Sequence, residues 1–484
     1  MEIVLKQRKR RRKRECLSKI SIQKNSFFLN ILKVSTFVKN VETFFMSNIL
    51  NTVYEKLEEG ADLVTDSRKI TSGCIYLALK GPRFNGNTFA AEALEKGAQL
   101  VIVDEQTSVV NHKCLLVADG LKFLQEIARH HRRQFSIPVI AITGSNGKTT
   151  TKELLAAVMK STYAIHYTQG NFNNHIGVPL TLLKMPKGTE VAIIEMGANH
   201  QGEIAALCEI AEPTHGIITN IGKAHLEGFG GIEGVKKGKA ELYAYLAKNN
   251  GVAFINRNER FLEELAAKVK HKIFYLESEN PDITVKDIEI KLNKIQPFLV
   301  AEFLSDQKSL IAVFSALVGR YNFGNMMTAI ALGKYFKVPG EAIKTAIEQY
   351  VPQDNRSELR KIGSNTFILD AYNANPTSTN AALENFEKLE ATHKIIILGD
   401  MLELGKYSGE AHQEIIDRVK AIETKAVYLV GPNYQSVILP SDGVYAYPDV
   451  ETLRDVLTSN TWENTLILLK GSRGIALEKL LTVF

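Results

Sequence analysis

Lys148 and Thr149 close a glycine-bracketed turn, Gly144-Ser-Asn-Gly147, that follows directly on the β-branched apolar run Val139-Ile-Ala-Ile-Thr143. Two glycines so placed let the backbone fold tightly with its N–H groups turned inward. The helical spacing of Leu154, Leu155 and Val158 sets a helix N-terminus behind the turn. This is a cradle for the phosphates of a nucleoside triphosphate. Lys148 reaches the β- and γ-phosphates, the Thr149 hydroxyl holds Mg2+, and Gly144, Ser145, Asn146, Gly147 and Thr150 supply the surrounding loop. Position 142 is Ile142 where a longer P-loop has glycine, so the turn has the shorter G-x-x-G-K-T form. A second chemical signal is Glu195 in Ile193-Ile-Glu-Met-Gly-Ala-Asn199, a carboxylate at a strand end that either coordinates Mg2+ or ends its strand in a salt bridge. A third is His225 within Asn220-Ile-Gly-Lys-Ala-His, followed by Lys236-Lys-Gly-Lys239. Taken singly, such a histidine is more often a hydrogen-bonded structural group, and such a lysine run is usually a solvated helix face. The sequence holds no convincing Ser-His-Asp or Cys-His arrangement, so a protein nucleophile is not expected.

The elements that must position these residues follow from hydrophobic runs. From Asp62 to about Val117, Cys74-Ile-Tyr-Leu-Ala-Leu and Leu100-Val-Ile-Val flank a helical stretch from Thr88 to Lys96, and a helix over Leu121 to Gln134 leads to Pro138. The runs Val139 to Thr143, Val191 to Ile194, Gly216 to Thr219 and Val252 to Ile255 alternate with helical patterns, which predicts βαβ crossovers and a buried parallel sheet. Ligands of such sheets bind beyond the carboxyl ends of the strands, where Glu195 and Asn220 fall. Residues 281 to 315 are less regular, broken by Pro281 and Pro297. Beyond them Phe367-Ile-Leu-Asp, Lys394 to Asp400, Val427 to Gly431 and Leu466 to Gly471 predict a second doubly wound sheet. The expected fold is α/β in three domains: a small mixed α/β domain at 46–135, a central P-loop parallel-sheet ATPase domain at 136–316, and a Rossmann-like doubly wound domain at 317–484.

Composition bounds the rest. The 484 residues are 45% hydrophobic and 23% charged, an ordinary globular balance for two to four domains. The net charge of +6 misleads, because residues 1–45 carry twelve lysines and arginines against three glutamates while the remainder carries 47 against 50. This basic leader reads as a solvated tail, or as sequence upstream of a start at Met46. It also supplies the sole argument for nucleic-acid or anionic-lipid binding, which is not expected of the body. Asn30 and Lys33 interrupt its apolar run, which argues against a signal peptide. No segment approaches a membrane span. Cys16, Cys74, Cys114 and Cys208 form no C-x-x-C pair, which fits a reducing, cytoplasmic setting.

Together with Gly319-Arg-Tyr-Asn-Phe-Gly-Asn325, Asp354-Asn-Arg-Ser and Asp370-Ala-Tyr-Asn-Ala-Asn-Pro376, these motifs resemble the Mur ligases, ATP-dependent amide-bond-forming enzymes of bacterial cell-wall synthesis, over residues 46–484. Asn171 to Pro179, Asp370 to Pro376 and Leu398 to Gly405 narrow the likeness to a member that joins D-alanyl-D-alanine to UDP-N-acetylmuramoyl-tripeptide. The resemblance implies ATP and two Mg2+ ions. Lys148, Glu195, His225 and Lys239 would be catalytic, with Thr149 and Glu195 at one metal and His225 and Lys239, the latter as a carbamate, at the other. It further implies nucleotide contacts at Asn322, Asn325, Arg356 and Asp370, and a uridine-nucleotide site at Asp66-Ser67-Arg68. Asn171, Asn173 and Asn174 would touch the peptide substrate, although an Asn-rich turn is also ordinary loop chemistry. Tyr321 stands where the family has histidine, and Asn85 where aspartate is common. Lys470-Gly-Ser-Arg473 reads either as an anion clamp or as a strand-end turn. A monomer is expected. The competing expectations are a sister Mur ligase or folylpolyglutamate synthase adding a single amino acid, and, in another class, a nucleic-acid-binding NTPase.

Overall fold

The computed structural model describes residues 46–282, 287–353, 355–438, 443–460 and 462–484. The basic leader with Cys16, and Asp354, lie outside the described residues. Chain packing defines two compact units, divided after Ile127 within the helix Gly120–Arg132.

In the first unit Leu63–Val64, Ile75–Leu77, Leu100–Val103 and Cys114–Leu116 form a four-stranded sheet in that order, parallel throughout. The expected helix from Thr88 is shorter than its pattern. Gly86–Phe89 forms a 3-10 turn, capped by the Asn85 side chain accepting from the Asn87 N–H at 3.1 Å, before the α-helix Ala90–Glu95 begins.

The second unit holds two sheets. The larger has nine strands, with Val139–Thr143 between Val191–Glu195 and His215–Ile218. Successive residues of Val139–Thr143 point to opposite faces and both faces are covered, so the strand reads as an unbroken apolar run. Val139 and Ala141 pack toward Val178, Leu182, Leu242 and Leu246. Ile140 and Ile142 pack toward Leu154, Leu155 and Val158 of the P-loop helix Lys148–Lys160. The chain leaves Val139–Thr143 toward one edge through Ile165–Tyr167 and returns to its other side at His215–Ile218, so a crevice opens at the carboxyl end of the central strand.

Two expectations are corrected here. The less regular stretch 281–315 contributes strands to the nine-stranded sheet. Ile288–Lys294 runs parallel to His271–Glu277, and Val300–Leu304 and Leu310–Phe314 continue the same sheet antiparallel to its edge. The helices Tyr321–Tyr335 and Gly340–Gln349, assigned from sequence to a third domain starting at 317, pack instead on the nine-stranded sheet. Their Met326, Ile330, Ile343 and Ile347 join Ile140, Leu154 and Leu155 in one core.

The smaller sheet has six strands in the order Glu358–Ile362, Asn365–Asp370, Thr465–Lys470, His393–Gly399, Ala426–Val430 and Val444–Tyr447. All pairs are parallel except the first, whose antiparallel hairpin protects an edge. The helix Pro376–Lys388 starts at a capping box: Asn375 accepts from the Ser378 N–H, and the Ser378 hydroxyl accepts from the Asn375 N–H. The three-domain α/β expectation holds, with the second and third domains inside one compact unit.

Ile330→Ala is expected to cost about 2–5 kcal/mol, because Ile330 is fully buried in the core beneath the P-loop helix. Denaturant unfolding measures it, and a loss under about 0.5 kcal/mol would detach the helix from that core.

Candidate functional site

The loop between Thr143 and Lys148 is forced into shape by its two glycines. Gly144 has φ +144° and Gly147 φ +78°, and an added Cβ would meet Thr219 Oγ1 at 1.9 Å or Asn325 Oδ1 at 2.3 Å. The end of the neighbouring strand fastens the loop from below. The Asn146 N–H donates to Asn220 Oδ1 at 3.0 Å, Thr219 Oγ1 donates to the Asn146 carbonyl at 2.6 Å, and Ser145 Oγ accepts from the Gly222 N–H at 2.9 Å. From the side, Asn375 Nδ2 donates to Asn146 Oδ1 at 2.7 Å, so the N-cap of the helix that follows the strand Asn365–Asp370 touches the phosphate loop directly.

Lys148 folds over this loop and donates to the carbonyls of Gly144 at 2.8 Å and Ser145 at 3.2 Å. It has a face open to the cleft, yet the protein packed around it holds its pKa below the usual lysine range. Glu195 partly offsets this and Arg356 adds to it. Thr149 Oγ1 donates to Glu195 Oε1 at 3.1 Å, and Asn173 Nδ2 donates to the same oxygen at 2.8 Å. Glu195 is 1% exposed, and its Oε2 has no hydrogen-bond partner.

These parts surround a cleft of ≈ 570 Å³ with Ser145, Asn146, Gly147, Lys148, Thr149, Thr150 and Glu195 on one side. Asn173, Asn174 and His225 also line it, as do Asn322, Asn325, Arg356 and Asp370. Asn171 is exposed and off its walls, while Asn174 spends its Oδ1 on the Ile176 and Gly177 N–H groups at 3.1 and 2.8 Å. Asn322 and Asn325 are buried in a relay. Thr151 Oγ1 donates to Asn325 Oδ1, Asn325 Nδ2 to Asn322 Oδ1, and Asn322 Nδ2 to the Val318 carbonyl, at 3.0, 2.9 and 2.8 Å. Much of their hydrogen-bonding capacity is therefore committed to clamping the P-loop helix. Tyr321, in the histidine position, shares a 2.8 Å hydrogen bond with Ser357 Oγ, and burial pushes its phenol pKa up.

On the far wall the Arg356 guanidinium lies 3.4 Å from the Tyr372 ring centroid, and its Nε is buried without a hydrogen-bond partner. Lys470 donates to Asp370 Oδ2 at 2.6 Å and is 1% exposed, so it neutralises Asp370 rather than forming one half of a free clamp. His225 sits at φ +51° with Nδ1 in contact with the Glu403 carboxylate, which holds Glu403 below the usual carboxylate range. Lys239 lies behind Ala198, donating to its carbonyl at 3.2 Å. Burial, aided by Lys148, drives its pKa well below the lysine norm.

For a divalent cation, the donor set fits at Thr149 and Glu195, where a buried carboxylate oxygen lacks a hydrogen bond. Among the described residues no group of three His, Cys, Asp or Glu could hold a metal unaided. In the first unit Arg68 turns back on Asp66, donating from Nε and Nη2 at 2.9 and 2.8 Å. This pair holds the Asp66 carboxyl down at about 2. Ser67 opens the same 3-10 turn.

Sequence reasoning missed Tyr372, Asn375 and the fully buried Lys152. Lys152 was detectable, because it shares the i, i+3, i+7 spacing of Leu155 and Met159 on the apolar face of the P-loop helix.

The fold and the cleft define a P-loop nucleotide-binding enzyme of the α/β class. Family models match at 62–132 (Mur ligase family, catalytic domain), 142–333 (Mur ligase middle domain) and 355–473 (Mur ligase, glutamate ligase domain). The chain is 34% identical over 455 residues to the UDP-N-acetylmuramoyl-tripeptide–D-alanyl-D-alanine ligase of Bacillus subtilis (strain 168), covering 92% of this chain and 97% of that protein. It is 33% identical to the enzyme of the same name from Escherichia coli (strain K12), covering 90% and 96%. Solved MurF structures from Acinetobacter baumannii (TM-score 0.78, 30% identity, 87% and 92% covered) and from Thermotoga maritima in complex with ADP (0.77, 27%, 88% and 97%) share the fold. The chain belongs to the Mur ligase family, and it is an ATP-dependent ligase.

Lys148→Ala is expected to lower nucleotide-dependent phosphate release by at least about a hundredfold. Its melting midpoint should stay near that of the parent, since the ammonium bonds nothing beyond its own loop. Loss of the cooperative melt would instead assign Lys148 to the scaffold.

Proposed function

We propose that this chain joins D-alanyl-D-alanine to UDP-N-acetylmuramoyl-tripeptide with ATP, giving the UDP-N-acetylmuramoyl-pentapeptide, ADP and phosphate for peptidoglycan precursor synthesis. The observation that carries the reading is the Lys148, Thr149 and Glu195 cradle facing Arg356 across one cleft, in a chain that matches ligases of that name over nearly their whole length. A carboxylate is a poor electrophile, so an oxygen of the tripeptide carboxylate attacks the γ-phosphorus and ADP departs, leaving an acyl phosphate. Lys148 and the loop N–H groups oppose the charge that develops on the transferred phosphoryl group. The amine of the dipeptide then attacks the acyl carbon, loses a proton, and the tetrahedral intermediate expels inorganic phosphate.

Thr149 and Glu195 would hold one Mg2+, and His225 with carbamylated Lys239 a second. Such ions supply Lewis-acid neutralisation of phosphate charge. The depressed pKa of Lys239 supports the modification, because the neutral amine is the form that adds CO2, releasing one proton as the carbamate forms. His225 fits too: its Nδ1 contacts the Glu403 carboxylate, which would leave Nε2 for a metal. Asn322, Asn325, Arg356 and Asp370 would take the nucleotide, Ser67 and Arg68 the uridine nucleotide, and Asn173 and Asn174 the peptide, with Asn171 at the loop's margin. We place the three domains at about 46–135, 136–350 and 351–484, the second boundary following the packing of Gly340–Gln349. A cytoplasmic monomer is the setting we favour. Among the described residues no helix is long and apolar enough to cross a membrane, and Cys74, Cys114 and Cys208 are free thiols.

With ATP, Mg2+ and UDP-N-acetylmuramoyl-tripeptide, phosphate release is expected with D-alanyl-D-alanine and not with single amino acids. Release with a single amino acid would assign a sister ligase or a folylpolyglutamate synthase, and release stimulated by nucleic acid would assign a different NTPase. Isotopically labelled bicarbonate is expected to give a carbamate carbon resonance in the parent protein that Lys239→Met lacks. Its persistence in the variant would move the carbamate to another lysine.

A further inference from the structure

Lys152 lies one turn beyond Lys148 on the P-loop helix, and its side chain is 0% exposed. Enclosing an ammonium costs several kcal/mol unless it is paired and hydrogen-bonded. Its neighbours come from three places. Glu153 Oε1 on its own helix is 2.9 Å from Nζ, the Gly170 carbonyl accepts from it at 3.2 Å, and Glu195 Oε2 stands at 3.8 Å. The Glu153 pair alone does not require burial, since Glu153 is 34% exposed. A cation beside Glu195 also opposes binding of a metal ion there, so Lys152 must supply something other than metal affinity.

What it supplies is a tie. Residues 168–176 connect the strand Ile165–Tyr167 to the helix Gly177–Leu183 and carry Asn173 and Asn174 to the cleft. This loop grips Glu195 at several points. Thr168 Oγ1 accepts from the Glu195 N–H at 3.0 Å, Asn173 Nδ2 donates to Oε1, and Lys152 links Oε2 to the Gly170 carbonyl. The Asn173 carbonyl in turn accepts from the Gly197 N–H at 2.8 Å. Oε1 is thus hydrogen-bonded by the loop and, from the phosphate side, by Thr149, while Oε2, which has no hydrogen bond, faces the Lys152 ammonium that the Gly170 carbonyl holds.

We infer that Lys152 is a positioning residue that couples occupation of the nucleotide–cation site to seating of the peptide substrate, by binding Glu195 and the 168–176 loop into one unit. The inference rests on the substrate reading above. Any shift of Glu195 on nucleotide–cation binding is transmitted to Asn173 and Gly170, and by reciprocity the seated peptide fixes Glu195 for the cation.

Calorimetry of the full chain with UDP-N-acetylmuramoyl-tripeptide, with and without Mg2+ and a non-hydrolysable ATP analogue, tests it. The analogue is expected to tighten tripeptide binding about tenfold in the parent and less than about twofold in Lys152→Met. Each ligand alone should bind the variant within about threefold of the parent. Hydrogen exchange adds a local readout: the analogue should protect amides of 168–177 in the parent and not in the variant. Thr168→Val, at a residue outside the assigned ligand contacts, removes the loop's hydrogen bond to the Glu195 N–H and should also weaken the coupling, which keeps the test decisive if Lys152→Met fails to fold. Coupling that survives in the folded variants would overturn the inference, as would a parent that binds both ligands independently. A parent that binds no UDP-N-acetylmuramoyl-tripeptide would overturn the substrate reading and the inference together.

Discussion

Burying a carboxylate without compensation costs several kcal/mol, yet Glu195 is almost fully enclosed at the end of its strand. Its compensation comes from three directions, the Thr149 hydroxyl, the Asn173 amide and the Lys152 ammonium, while the Thr168 hydroxyl accepts from its backbone N–H. None of these residues is adjacent to it in sequence. The nine-stranded sheet brings them together because Val191–Glu195 lies directly beside Val139–Thr143 with Ile142 opposite Glu195. That register ends the two strands at the same level, so the phosphate loop springs from one as the carboxylate leaves the other. A one-residue slip would turn Glu195 to the other face of the sheet.

The same sheet explains how the phosphate loop is held in shape. The left-handed turn at Gly147 is held against Asn325, and Gly144 against Thr219. Asn325 and Thr219 come from the helix and the strand that flank the loop, so its shape depends on the packing of Tyr321–Tyr335 on Lys148–Lys160 through Leu155, Met326 and Ile330. Apolar packing thus sets a polar geometry. The N–H groups that would meet a triphosphate are oriented before it arrives, which limits the reorganisation left to the reaction.

Much of this was legible in the sequence where local pattern and chemistry coincide. The strands Val139–Thr143, Val191–Glu195, Asn365–Asp370 and His393–Gly399 are buried on both faces and read as apolar runs. The strand Ile288–Lys294 is mostly half-exposed, rich in lysine and flanked by Pro281 and Pro297, so its pairing with Val300–Leu304 left no clear period. Residues 321–335 were placed in the third domain as part of a motif, because sequence order does not say which surface a largely buried helix covers. The cleft residues were found through motif order. Lys152 and Asn375 were not, since their roles arise from contacts with Glu195 and Asn146, 43 and 229 residues away. Asn171 shows the converse: a motif position whose neighbours reach the cleft while it stays exposed.

Charge accounting in the cleft shows why two sheets are needed. Lys152 stands against Glu195 and Lys470 against Asp370, so each pair is nearly neutral and serves to fix geometry. Lys239 is driven toward its neutral form by burial. That leaves Lys148 and Arg356 as cleft-lining cations with no carboxylate partner among the described residues, one from the nine-stranded sheet and one from the approach to the six-stranded sheet. Arg356 lowers the pKa of Lys148, so the two positive charges repel each other across the cleft. Interposing a phosphate chain would convert that repulsion into attraction on both sides. The contact of Asn375 with Asn146 holds the sheets at the phosphate loop, and the polyanion that the cleft selects is therefore also the group that would draw its two walls together.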